Sequence, residues 1–141
     1  MKKTAVIYWS GTGNTESMAN AVLEGMRKNG ADAVLLTPDQ ADAQSLKDLD
    51  AVAMGCPAMG DETLEESEFE PMFEACKGHL AGKAAALFGS YGWGDGEWMR
   101  SWEQACRDAG IRLVCESVIC CEAPDDTALD ACRELGAELS R

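Results

Sequence analysis

Ser10, Thr12, Asn14 and Thr15 fall within six residues, with Gly11 and Gly13 between them. Hydroxyl and amide side chains interleaved with glycine suit anion binding, because glycine lets the backbone turn tightly enough to aim successive N–H groups at one point. No Lys or Arg lies between Lys3 and Arg27, and the Gly-x4-Gly-Lys-Ser/Thr pattern of nucleotide triphosphatase loops is missing. The cradle is therefore neutral. It fits a single terminal phosphate held by hydrogen bonds and a helix N-terminus rather than by a counter-charge. A plain serine- and glycine-rich turn between a strand and a helix would have the same composition.

Two further loops carry side chains that could meet a flat ligand. One is Gly55-Cys56-Pro57-Ala58-Met59-Gly60-Asp61-Glu62, and the other is Gly89-Ser90-Tyr91-Gly92-Trp93-Gly94-Asp95-Gly96. Met59 and Trp93 are large and polarizable, so an aromatic ring could be held between them. The alternative for Trp93 is a core or edge position, but Gly89, Gly92, Gly94 and Gly96 leave little scaffold to bury it. The loops contain no cation and several acids, among them Asp61, Glu62, Asp95 and the flanking Glu65, Glu66 and Glu97. Taken singly, Glu65, Glu66 and Glu97 read as a solvated face. Their summed field disfavours added negative charge on anything bound there.

The elements that must position these loops alternate along the chain. Apolar runs predict strands near residues 3–9, 31–37, 50–56, 83–90 and 111–121. Helical spacing joins Met18, Ala21, Val22, Gly25 and Met26; Trp98, Trp102, Ala105, Cys106 and Ala109; and Ala128, Leu129, Cys132, Leu135 and Leu139. A shorter helix is expected over Glu68 to Lys77, with Pro71 tolerated in its first turn, and another over Ala43 to Asp48. Strands separated by helices imply an α/β fold, a parallel sheet covered on both faces. Ligands of such sheets sit beyond the carboxyl ends of the strands, where strand order reverses. The loops after strands one, three and four should then converge on one site.

A length of 141 residues suits one domain over 1–141. The net charge of −13 argues against nucleic acid and anionic membranes, and for a basic protein partner. Lys2-Lys3 precedes an apolar stretch, Ala5 to Trp9, that is shorter than the ~7–15 residues of an export signal. The expectation is a cytoplasmic protein. Seven cysteines without a Cys-x-x-Cys pair read as reduced thiols, with Cys56, Cys76, Cys106, Cys115 and Cys132 placed as small buried hydrophobes. The adjacent Cys120 and Cys121 should point to opposite faces of a strand, with no third ligand for a metal. His79, the single histidine, reads as a surface loop residue.

Across its full length the chain resembles the short-chain flavodoxins of the clostridial and rumen-bacterial type. The resemblance rests on Ser10-Gly-Thr-Gly-Asn-Thr-Glu16, on Met59-Gly-Asp-Glu62 and on Ser90-Tyr-Gly-Trp-Gly-Asp-Gly96. It implies a flavodoxin-like three-layer sandwich with a five-stranded parallel sheet ordered 2-1-3-4-5. The implied function is a low-potential one-electron carrier with non-covalently bound FMN, working between oxidoreductases. An FMN-binding module, or a small flavoenzyme with its own substrate, is the alternative. By the same resemblance the cofactor-binding set is Ser10, Gly11, Thr12, Gly13, Asn14 and Thr15 at the phosphate. It continues with Pro57, Ala58, Met59, Gly60, Asp61 and Glu62 at one side of the ring, and Ser90, Tyr91, Gly92, Trp93 and Gly94 at the other. Met59 and Trp93 would flank the ring, and Glu62 would accept from its N3–H. The Gly60-Asp61 peptide would change orientation with redox state, turning its carbonyl toward N5 when N5 gains a proton. Partners would be basic-surfaced redox proteins met by a monomer, without nucleic acid or membrane. Pro57 departs from relatives that carry a hydroxyl residue there, and Cys120-Cys121 matches no motif of the family.

Overall fold

The computed structural model describes residues 1–60 and 62–141. In chain order it builds β1 (Lys3–Tyr8), α1 (Asn14–Lys28), β2 (Asp32–Leu36), α2 (Ala43–Leu46) and β3 (Ala51–Gly55). α3 (Phe69–Leu80), β4 (Ala84–Tyr91), α4 (Glu97–Asp108), β5 (Arg112–Leu113), β6 (Val118–Cys121) and α5 (Asp126–Leu139) follow. A single 3-10 turn, Pro38–Gln40, closed by a Thr37/Gln40 capping box, precedes α2. All strand pairs are parallel and the order is β2-β1-β3-β4-β5, with β6 continuing along β4. The order expected from the resemblance is the one observed.

Each central strand is buried on both faces, as parallel strands between helix layers must be. Val6, Ala53 and Ala86 pack with Met18 and Val22 of α1 and Cys132 and Leu135 of α5. Ile7, Val52, Met54 and Leu87 face the other way, into Phe69 and Phe73 of α3 and Trp98 and Trp102 of α4. Small residues bring α1 and α5 into backbone contact: a Cβ on Gly25 would collide with the Arg133 carbonyl, and one on Gly136 with the Val22 carbonyl.

Two expectations need correction. Residues 111–121 do not form one strand. Leu113 pairs with Ala85 and Val118 with Phe88, so five steps along the fifth strand answer three along β4; residues 114–117 between these pairs carry a two-residue excess, although Val114 N–H still donates to Ala85 O at 3.0 Å. The Ser117 hydroxyl ties this bulge to Glu103 of α4 at 2.6 Å. His79 lies in the last turn of α3 rather than in a loop, although it is exposed. All seven cysteines are free; Cys56, Cys76, Cys106 and Cys132 are buried, Cys115 and Cys120 partly so, and Cys121 is exposed.

Candidate functional site

The loops after β1, β3 and β4 do converge at the carboxyl edge of the sheet. They are stitched by backbone bonds: Trp9 N–H donates to Gly55 O at 3.1 Å, Cys56 N–H to Phe88 O at 3.2 Å, and Ala58 N–H to Ser90 O at 3.0 Å. Between them lies a cleft of about 360 Å3. Gly11, Thr12 and Asn14 form one end, Pro57, Ala58, Met59 and Gly60 one wall, and Ser90, Tyr91 and Gly92 the floor and opposite wall.

The end of the cleft formed by the first loop is shaped by Gly13, whose φ of 98° caps α1 in the left-handed region. Ser10 Oγ accepts from Gly13 N–H at 3.1 Å, and Gly13 O receives the Ser17 N–H at 3.0 Å. The amides of Asn14, Thr15 and Glu16 belong to the first turn and have no intrahelical carbonyl to donate to. With the side chains of Thr12 and Asn14, they form a neutral donor set at a helix N-terminus, which suits an anion. Thr15 is buried, its hydroxyl 3.2 Å from that of Ser90, so it braces the first loop against the third.

The second loop turns on bonds from Glu62 N–H to Met59 O at 2.9 Å and from Met59 N–H to Thr63 O at 3.0 Å. Glu62 itself holds a φ of 59°. Gly60 has open space where a Cβ would stand. Asp61, and with it the far half of the expected switching peptide, lies outside the described residues. Beneath this loop Cys56 is fully buried, and its thiol is pushed up to about 12, chiefly by burial; it stays a protonated, inert thiol that accepts the Glu65 N–H at 3.4 Å.

Glu65 differs from its reading as a solvated acid. It is 5% exposed, and its carboxylate takes the N–H groups of Ser67, Glu68 and Phe69 at 2.8, 2.7 and 2.9 Å, together with the Ser67 hydroxyl. Burial would raise its pKa, but the bonds from the Ser67 hydroxyl and the Phe69, Ser67 and Glu68 amides outweigh that and hold it at about 2. This carboxylate caps α3 and anchors the end of the second loop to it.

In the third loop Trp93 is 61% exposed and does not line the cleft. Tyr91 does, packed on Trp98 at 5.6 Å between ring centroids, while the Trp98 indole donates to Cys56 O at 3.1 Å. Glu62 sits under Gly94, where a Cβ would strike its carboxylate, and Gly94 holds a φ of 88°. The acidic surround also has a local cation that the loop sequences lack: Arg100 of α4 pairs with Asp95 at 2.9 Å.

Of the expected residues, Gly11, Thr12, Asn14, Pro57, Ala58, Met59, Gly60, Ser90, Tyr91 and Gly92 meet in the cleft. Ser10, Gly13 and Thr15 brace the loops that form it, Glu62 and Gly94 meet each other outside its lining, and Trp93 is exposed and not part of that lining. Trp9 and Glu122 also line it and were not anticipated. Trp9 is oriented by its indole bond to Glu68 at 2.8 Å, and Glu122, with a φ of 59°, by its N–H to Tyr91 O at 2.7 Å. Glu122 follows the last strand, so the same carboxyl-edge rule, applied to the fifth strand, points to it. No group of His, Cys, Asp and Glu among the described residues is arranged to hold a metal ion. No helix among them is long and apolar enough to cross a membrane.

The family profile described as Flavodoxin matches residues 6–136. A flavodoxin of Clostridium beijerinckii is 43% identical over 135 residues, spanning 96% of this chain and 97% of the relative. One of Megasphaera elsdenii is 42% identical over 131 residues, 93% of both chains. The solution structure of the two-electron reduced Megasphaera elsdenii flavodoxin superposes with a TM-score of 0.89 at 41% identity, covering 97% of this chain and 98% of that one. The chain therefore belongs to the flavodoxin family: it is an FMN-binding electron-transfer protein, not an enzyme, and it serves redox partners.

Proposed function

We propose that residues 1–141 act as one FMN-binding domain in which the three loops divide the cofactor between them. The opening of α1 carries this reading. Unpartnered amides of Asn14 and Thr15 and the side chains of Thr12 and Asn14 gather at the end of the cleft with no cation among them, a donor set that fits a phosphate monoester. Ser10, whose oxygen already accepts from Gly13, has its hydroxyl proton left to give to that phosphate. Gly11 and Gly13 shape the loop around it.

FMN supplies a ring that takes up and returns electrons; the binding, orientation and shielding belong to the chain. Met59 and Trp93 flank the ring, and Trp93 is held ready in an exposed loop position. Pro57, Ala58 and Gly60 form the wall on the Met59 side, and Ser90, Tyr91, Gly92 and Gly94 the edge opposite. Glu62 accepts from the ring N3–H. The carbonyl of the Gly60-Asp61 peptide would be the group to accept from a protonated N5, and Gly60 has open space around it. Asp61, Glu62 and Asp95 repel further negative charge, partly offset by Arg100. The net charge of −13 favours basic-surfaced redox proteins as donors and acceptors, met by a monomer in the cytoplasm.

Titration of the FMN-free protein with FMN and with riboflavin tests the assignment. Losing at least two charge-assisted hydrogen bonds, each worth about 1.5–3 kcal/mol, makes riboflavin bind at least about a hundredfold more weakly. Equal affinities would remove the phosphate from the 10–15 loop.

A further inference from the structure

Behind the second loop, a groove of about 230 Å3 runs between α3 and α4. Two buried side-chain polar atoms among the described residues have no hydrogen-bond partner, Glu62 Oε1 and Trp102 Nε1, and both residues line this groove. They are complementary. The indole N–H can only donate, and the carboxylate oxygen can only accept. Buried polar atoms are almost always satisfied, by protein or by ordered water.

Both partners are fixed in place. Trp102 is 2% exposed and is clamped by edge-to-face contacts to Phe69 at 5.3 Å and 87° and to Phe73 at 6.2 Å and 88°. Glu62 is held by its left-handed backbone and its N–H bond to Met59, and Gly94 leaves room for its carboxylate. A single water that accepted from the indole and donated to the carboxylate would satisfy both at once. A cation would serve Glu62 and leave the indole N–H unpaired. Around the groove stand the acids Glu70 and Glu74 of α3, and Arg100 of α4 faces Glu62 electrostatically.

We infer that a water molecule bridges Trp102 Nε1 and Glu62 Oε1, making Trp102 a positioning residue that holds the Glu62 carboxylate with its second oxygen free for the N3–H edge of FMN. The role at N3 rests on the assignment of Glu62 proposed above; the bridge itself does not.

The experiment has an arm for each part, on the full chain. In the 15N-labelled protein, with and without oxidised FMN, the Trp102 indole N–H gives a cross-peak to a long-lived water and shifts on Glu62→Gln. A missing cross-peak, or a resonance unmoved by Glu62→Gln, overturns the bridge, as does an upfield ring-current position showing donation to a phenylalanine face. In the second arm, FMN and 3-methyl-FMN, which lacks the N3 proton, are titrated. Replacing Trp102 by β-(3-benzothienyl)alanine, which exchanges only the N–H for sulfur, lowers the preference for FMN by roughly three- to tenfold, the effect of about one ordinary hydrogen bond. The same replacement has no effect in a Glu62→Gln background. Trp102→Phe gives the same pattern wherever the variant folds. An unchanged preference overturns the positioning role. A wild-type protein that does not distinguish the two ligands overturns that role together with the N3 assignment, while the first arm still decides the bridge.

Discussion

Replacing Glu65 by Gln removes one charge from a carboxylate that accepts four hydrogen bonds at the start of α3. Gln offers one oxygen and turns an amide N–H toward donors, so part of the cap is lost and part is repelled. The magnitude follows from the acidity of the group. Held at about 2 rather than 4.5, the carboxyl differs by about 2.5 units between folded and unfolded chain, which corresponds to about 3 kcal/mol at neutral pH. The sign is fixed by the direction of the shift. A depressed folded value adds stability that is complete above about 4.5 and is lost as pH falls toward about 2. At the acid end the unfolded chain's carboxyl has taken up its proton while the folded one still holds most of its charge, so most of the neutral-pH advantage is already spent. Urea unfolding of the FMN-free wild type and Glu65→Gln, measured from pH 7 to pH 2.5, should therefore show a gap of about 3 kcal/mol that narrows as the solution is acidified. Taking the difference between the two proteins cancels the titration of the other 24 acids, whose common effect on a chain of net charge −13 is large. A gap below about 1 kcal/mol at pH 7, or one that is the same at both ends of the range, would show that the carboxylate does not cap α3 in its charged form.

Three further perturbations test other parts of the molecule. Gly136→Ala places a methyl against Val22 O and 2.9 Å from Met26 N, and should cost about 1–3 kcal/mol despite the better helix propensity of alanine; an unchanged melting temperature would contradict the α1–α5 backbone contact. Trp93→Ala should weaken FMN binding by about 0.5–1.5 kcal/mol beyond lost contact area, while the stability of the FMN-free protein moves by less than about 0.5 kcal/mol because the side chain is exposed; unaltered affinity and flavin fluorescence would place Trp93 away from the ring. Electron transfer to a basic partner should slow between 0.1 and 1 M salt as the Debye length falls from ~10 to ~3 Å, and a flat rate in stopped-flow measurements would point to apolar docking.

Most of the fold was legible because its signals are local. Apolar runs bounded by turn residues gave four of the strands within a residue or so, and the apolar stripes of α1, α4 and α5 gave their buried faces. The fifth strand was not legible because Ile111 to Cys121 is mostly apolar, interrupted only by Arg112, Glu116 and Ser117, and the excess of residues 114–117 exists only relative to the spacing of β4. The site divides in the same way. Ser10 to Thr15 announces itself by composition. Glu65 hides in the run Glu65-Glu66-Ser67-Glu68, where three residues are exposed and one turns inward to cap the helix behind it. Only the position of the first turn of α3 separates it from its neighbours. Arg100 was missed for a similar reason: it is five residues from Asp95 in the chain, yet folds back over the third loop to pair with it.

The bulge in the fifth strand has a consequence for how the molecule meets its own copies. A parallel sheet of this kind ends in two open edges, and an open edge is a template on which another chain can add a strand. On this side the rim is cut into a two-residue piece, β5, and a four-residue piece, β6, set out of phase by the 114–117 excess, with Ser117 drawn toward α4. No incoming strand can follow both pieces in one register. Glu116, exposed on the excess, puts a charge beside any partner that tries. A protein that must remain dispersed while it moves between oxidoreductases thus has one of its two adhesive margins blunted by a mismatch in strand length.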